Sequence, residues 1–145
     1  MTTSFTAEEA LVEARRLARE QGARSADRIE MLLGIAEADP QQYRQARLAR
    51  SMFYLGLGRY DDVLRIGAAL RLSTDPSTAG LGANLEGVVH LERGDFSKAV
   101  DAYEAADSIL PEDALGPRGN VWARTKLTFI RKASQTVQRA NQTQA

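Results

Sequence analysis

Gly87-Val88-Val89-His90-Leu91-Glu92-Arg93-Gly94-Asp95-Phe96-Ser97-Lys98-Ala99-Val100 is the stretch whose reading decides the fold. An apolar helical pattern runs up to Leu91, Gly94-Asp95 breaks it, and a second helical pattern opens at Phe96. A looser copy is Ser51-Met52-Phe53-Tyr54-Leu55-Gly56-Leu57-Gly58-Arg59-Tyr60-Asp61-Asp62-Val63-Leu64. Gly58 and Gly94 stand 36 residues apart, and Gly22 stands 36 residues before Gly58. A fixed period in this range marks stacked helical hairpins, each burying its apolar face against the next.

Working outward, Thr6 and Glu9 form a capping box for a first helix from Ala7 to about Gln21, with Ala7, Ala10, Leu11, Ala14, Leu17 and Ala18 as its apolar stripe. Gly22 ends it, and Ser25 is placed to cap a second helix with Ile29, Leu32, Leu33 and Ala36 inward. Asp39-Pro40 and Asp75-Pro76 read as cap-plus-proline starts of the third and fifth helices. The expected hairpins are about 7–38, 40–72 and 77–110, in a single domain over 1–140. Pro111-Glu112-Asp113 closes the third, and Leu115-Gly116-Pro117 connects it to a seventh helix over about 118–138. That helix carries Val121, Trp122, Leu127, Phe129, Ile130, Ala133 and Val137, and residues 141–145 are expected to be a disordered tail. No strand pattern appears, so the fold class is all-α.

The chain has 145 residues and equal numbers of basic and acidic groups, 19 each. This balance gives no support to a nucleic-acid or membrane-surface role. The charge is unevenly placed: residues 1–117 hold thirteen bases against nineteen acids, a balance of −6. Residues 118–145 hold Arg118, Arg124, Lys126, Arg131, Lys132 and Arg139 with no acid, a balance of +6. The absence of cysteine excludes disulfides and thiol chemistry. No apolar run approaches a membrane span and the start lacks a secretory pattern, so the expected location is the cytoplasm.

The third hairpin resembles a tetratricopeptide repeat. Gly87, Gly94-Asp95-Phe96, Ala99, Tyr103, Ala106 and Pro111 fall at that family's spacing. The second hairpin keeps Ser51 in the small position and Gly58-Arg59-Tyr60 in the turn, with Val63 for Ala and Gly67 where an aromatic is expected. The first keeps the length, Gly22 and Pro40. The resemblance implies a right-handed superhelix of antiparallel helix hairpins, about seven helices, with the last as a solvating cap. It also implies a concave groove lined by the first helix of each hairpin. Carried over, the groove consists of Gln45, Leu48, Met52 and Leu55, then Leu81, Asn84, Val88, Leu91 and Glu92. Ala10, Leu17 and Glu20 are the corresponding candidates in the first hairpin.

Such a groove implies a non-enzymatic scaffold or adaptor that takes an apolar peptide or helix, with Gln45, Asn84 and Glu92 setting its orientation. Two other readings stay open: a small bacterial secretion-type chaperone, to which an arginine-rich, lysine-poor composition lends weak support, and a self-associating assembly protein. The seventh helix or a second copy could also cover the groove, as a homodimer, since large apolar patches are uncommon on monomers. The positions where some relatives hold a carboxylate clamp carry Leu48, Met52, Asn84 and Val88, with no cation. No catalytic constellation, metal set or cofactor motif is read. His90 is the lone histidine and sits where the family has a packing aromatic. Asp61-Asp62 and Glu112-Asp113 fit helix starts better than acid–base work. Gly80-Leu81-Gly82 lacks the following Gly-Lys-Ser/Thr of a phosphate loop. The basic seventh helix reads first as a soluble cap. A contact for an acidic partner or nucleic acid is the sharper alternative.

Overall fold

The computed structural model describes residues 4–110 and 119–143, with nothing said of the Thr143 side chain. Among the described residues it is all-helical, with no strand. The α-helices are α1 (Ala7–Glu20), α2 (Ala26–Glu37), α3 (Tyr43–Gly56), α4 (Tyr60–Arg71), α5 (Pro76–Glu92), α6 (Phe96–Ile109) and α7 (Asn120–Thr143), with a 3-10 turn at Gly22–Ser25. The chain divides into two compact units, residues 1–63 and 64–145.

The repeated turn has a backbone cause. Gly22, Gly58 and Gly94 all take positive φ, at 55°, 74° and 76°. A side chain is disfavoured there, so glycine ends α1, α3 and α5. At Gly58 and Gly94 the closure is the same hydrogen-bond pair. Gly58 N–H donates to the Leu55 carbonyl at 3.0 Å and Arg59 N–H to the Tyr54 carbonyl at 2.9 Å. Gly94 N–H donates to Leu91 at 3.0 Å and Asp95 N–H to His90 at 2.8 Å. These bonds satisfy carbonyls that the helix end leaves open. Gly22 instead leads into the 3-10 turn, so the first hairpin shares the glycine and its φ but not this closure.

Helix starts match the sequence reading in part. Thr6 and Glu9 form the reciprocal capping box, at 3.1 and 3.2 Å. Asp75 accepts from Thr78 N–H at 3.2 Å, with Pro76 in the first turn of α5. Two expected starts are corrected. Ser25 makes no cap hydrogen bond to α2; its hydroxyl donates to the Gln21 side chain, drawn there by the 3-10 turn. Asp39-Pro40 does not open α3. Asp39 accepts from Gln41 N–H at 2.9 Å in a tight turn, and the helix begins at Tyr43. At the other end, α7 extends past 138, so Asn141–Thr143 are helical. The readings at residues 111–118 lie outside the described residues.

In residues 1–63, α1 packs chiefly on α2, and α2 on α3. Ala10, Leu11, Ala14 and Leu17 meet the buried Ile29, Leu32, Leu33 and Ala36. A polar network pins α2 to α3. Arg50 donates to Glu37 Oε1 and to Tyr54 Oη, the latter at 2.8 Å. Tyr54 Oη donates to Glu30 Oε1 at 2.6 Å, and Arg47 pairs with Glu37 at 2.9 Å. The Arg59 guanidinium lies over the Tyr54 ring, 4.1 Å from its centroid. Burial pushes the Tyr54 phenol up, and its bond to Glu30 adds to this. Burial works against the charge of Arg50, but bonds to Glu37 and Tyr54 outweigh it and hold the guanidinium above its ordinary value.

In residues 64–145 the helices approach until backbone meets backbone. A Cβ on Gly67 would stand 2.9 Å from the Gly82 carbonyl oxygen, and one on Gly82 would strike the Gly67 carbonyl in turn. A Cβ on Gly87 would stand 2.7 Å from the Tyr103 ring. Tyr103 is fully buried among Ala83, Ala99, Ala106, Ala123, Leu127 and Ile130, which joins α5, α6 and α7 in one core. Gly82 and Gly87 are therefore contact glycines, and Gly80-Leu81-Gly82 is helix interior.

Candidate functional site

An apolar concavity lies wholly in residues 1–63, a cleft of about 640 Å³. Leu48, Ala49, Met52, Phe53 and Gly56 of α3, with Leu57, form one wall, and Ala14, Arg15, Ala18 and Arg19 of α1 form the other. Ile29 and Leu33 of α2 also line it, with Gly22 and Ala23 from the 3-10 turn. Small residues on both walls keep the space open, and it is within the size range of ordinary binding clefts. Met52 is 53% exposed, so a large, adaptable apolar side chain stands at the opening. The lining holds two arginines and no carboxylate. Arg15 donates to Gln45 at 3.4 Å.

The groove residues expected from sequence divide into three sets. Leu48 and Met52 line this cleft, and Gln45 touches it through Arg15. Leu55 is half-buried and outside the lining. Val88 and Leu91 are partly buried against the Tyr103 core, and Glu92 is exposed at the end of α5. Leu81 and Asn84, by contrast, are fully buried, which corrects their placement on an open surface. The cause is α5 itself: small and apolar residues surround it, and Ala79 to Leu85 is buried without a break. A helix apolar on all sides is enclosed rather than amphipathic.

Two of the first-hairpin candidates are also corrected. Ala10 and Leu17 are buried toward α2, while Glu20 is exposed, paired with Arg16 at 2.6 Å, and outside the cleft lining. The wall is instead Ala14-Arg15 and Ala18-Arg19, two pairs at helical spacing. The alanines at i and i+4 were the available signal, but small residues at that spacing also read as helix packing.

His90 is half-buried on α5. Among the described residues no group of three or more His, Asp or Glu side chains is placed to hold a metal ion, and no helix is long and apolar enough to cross a membrane. The arrangement can thus bury an apolar surface and meet negative charge at its rim. Compared with family models, curated proteins and solved structures, the chain gives no match.

Proposed function

We propose that this chain is a protein–protein interaction module of tetratricopeptide type, which holds an apolar or amphipathic helical segment in the cleft between α1 and α3. The observation that carries this reading is the cleft wall. Leu48 and Met52 stand one helical turn apart beside about 640 Å³ of open space, facing a wall in which Ala14 and Ala18 alternate with Arg15 and Arg19. A helix in a groove is anchored through side chains at i, i+3 or i+4, and i+7, and such a wall suits them. No catalytic step enters this reading; the chemistry is burial of apolar surface on a preformed site. A role as scaffold, adaptor or secretion-type chaperone would use the same cleft.

The test is selection of helical peptides of about four turns from a displayed library, a length that spans a cleft of this size. The best binder is then titrated against variants. Met52→Glu and Leu48→Glu should each weaken it at least thirtyfold with helicity retained, while Leu72→Glu, on an 85% exposed residue elsewhere, should not. A binder that ignores both cleft variants contradicts the proposal.

A further inference from the structure

We infer that α7 carries a second docking surface, for an acidic amphipathic helix of a partner protein. The core face of α7, Ala123, Leu127 and Ile130, is buried against Tyr103, and Trp122 packs at its edge. From Trp122 a mostly apolar stripe runs on through Lys126, Phe129, Ala133 and Val137, spaced four, three, four and four residues apart. That spacing keeps a stripe on one side of a helix. Trp122, Lys126 and Ala133 are half-buried, but Phe129 is 62% and Val137 59% exposed. The stripe continues beyond the last buried residue of α7. Arg131 pairs with Glu104 at 3.1 Å, and after Ile130 no described side chain is buried. A helical stretch of about a dozen residues is marginal in water without packing, so covering this one is favourable.

Charge selects the occupant. Between Asn120 and Thr143 there is no acidic residue. Arg124 and Arg131 turn to Asp107 and Glu104. Lys126 lies within the stripe, its ammonium 4.7 Å from the Trp122 ring centroid, and Lys132 stands at its outer edge by helical spacing. The helix dipole accounts for a cation in the last turns, but not for Lys126 and Lys132 in the middle. A helix with leucines facing the stripe and carboxylates flanking them meets both features. A second α7 would bring like charge to like charge, and a nucleic acid would find no partner in Ala133 and Val137.

Trp122 is the sole tryptophan and stands where the stripe meets the Tyr103 core, with the Lys126 ammonium over its ring, so its emission responds when a ligand covers the stripe and engages Lys126. The probe is a synthetic amphipathic helix of roughly three heptads with leucine at the core positions and glutamate flanks, long enough to cover the stripe. Titration into the full chain should give a saturable blue shift of Trp122 emission. The same peptide with lysine flanks should bind at least tenfold more weakly. Phe129→Glu should abolish the shift with circular dichroism unchanged. Lys126→Glu with Lys132→Glu should weaken binding roughly tenfold, the scale of two exposed ion pairs turned repulsive. Met52→Glu, in the other unit, should leave the response intact. No shift, equal response to both peptides, or loss of response in Met52→Glu would overturn the assignment. So would a dimer that Phe129→Glu converts to monomer, or an equal saturable shift with an RNA or DNA oligonucleotide.

Discussion

In residues 1–63, α1 and α3 stand apart over alanines and glycines and leave a cleft. In residues 64–145, α4 and α5 close over Gly67 and Gly82 until no Cβ fits, and Tyr103 fills the space beside Gly87. Small residues do opposite things in the two units. In the second they are pressed by a neighbour's backbone or ring. In the first, Gly22 and Gly56 at the cleft have open space where a Cβ would stand, and the polar network of Arg50, Glu37, Glu30 and Tyr54 adds to the apolar core. Both units bury a core, and the first also leaves an apolar cleft open beside it. Repeated turns therefore fix the path of the chain but not whether a hairpin face is filled.

The sharpest way to break this comparison is to enlarge small residues in both units. Gly82→Leu should cost about 3 kcal/mol or more, because the added side chain meets the backbone of Gly67 and Arg71, which cannot swing aside. Ala18→Leu in the cleft wall should change stability by no more than about 0.5 kcal/mol while blocking the site. Chemical denaturation of both variants checks this, and equal losses would erase the distinction. Next in size is the polar clamp. Arg50→Ala leaves the half-buried Glu37 and the buried Tyr54 without their shared donor and should cost about 2–3 kcal/mol, the range for hydrogen bonds to charged groups. Thermal unfolding of this variant should show the loss.

The turn glycines come third. Gly58→Ala and Gly94→Ala should each cost about 1 kcal/mol, since alanine is strained at positive φ. Similar penalties would show that the same closure works in both units. The smallest effect is at Tyr103, whose buried hydroxyl has no hydrogen-bond partner among the described residues. Tyr103→Phe should be neutral or gain up to about 1 kcal/mol. It should also alter the alkaline limb of stability. Burial, with Glu92 nearby, raises the Tyr103 phenol well above its ordinary value. A raised folded value means the proton is held more tightly in the native state. The associated stability is present below the unfolded value near ~10 and falls as pH climbs past it. Wild type should therefore lose stability above that pH faster than Tyr103→Phe, as read from denaturation midpoints across the alkaline range.

The turns were legible in the sequence because positive φ narrows the choice of residue, so Gly22, Gly58 and Gly94 announced three breaks. The capping pairs Thr6–Glu9 and Asp75-Pro76 were legible for the same local reason. Half of the cleft was legible too: Leu48 and Met52 are large apolar residues on one helix face. The other half was not, because Ala14 and Ala18 look alike whether they touch a neighbour or a void. Leu81 and Asn84 were misplaced since the enclosure of α5 depends on its neighbours, and its own pattern shows only that it is apolar. The clamp between Glu37 and Arg50 joins two helices across a turn, and nothing in either helix alone assigns those partners. The stripe on α7 was visible as apolar residues, but which of them the core takes became evident only with the burial of Ala123, Leu127 and Ile130.

The central claim is that the cleft of residues 1–63 is the primary binding site, and two methionines test it. Met52 stands at the cleft, while Met31 is exposed on α2 outside its lining. In a protein labelled at the methionine methyl carbons, the selected helical peptide should shift the Met52 resonance progressively to saturation and leave Met31 in place. A titration that moves Met31, or saturates binding with Met52 unmoved, would contradict the account.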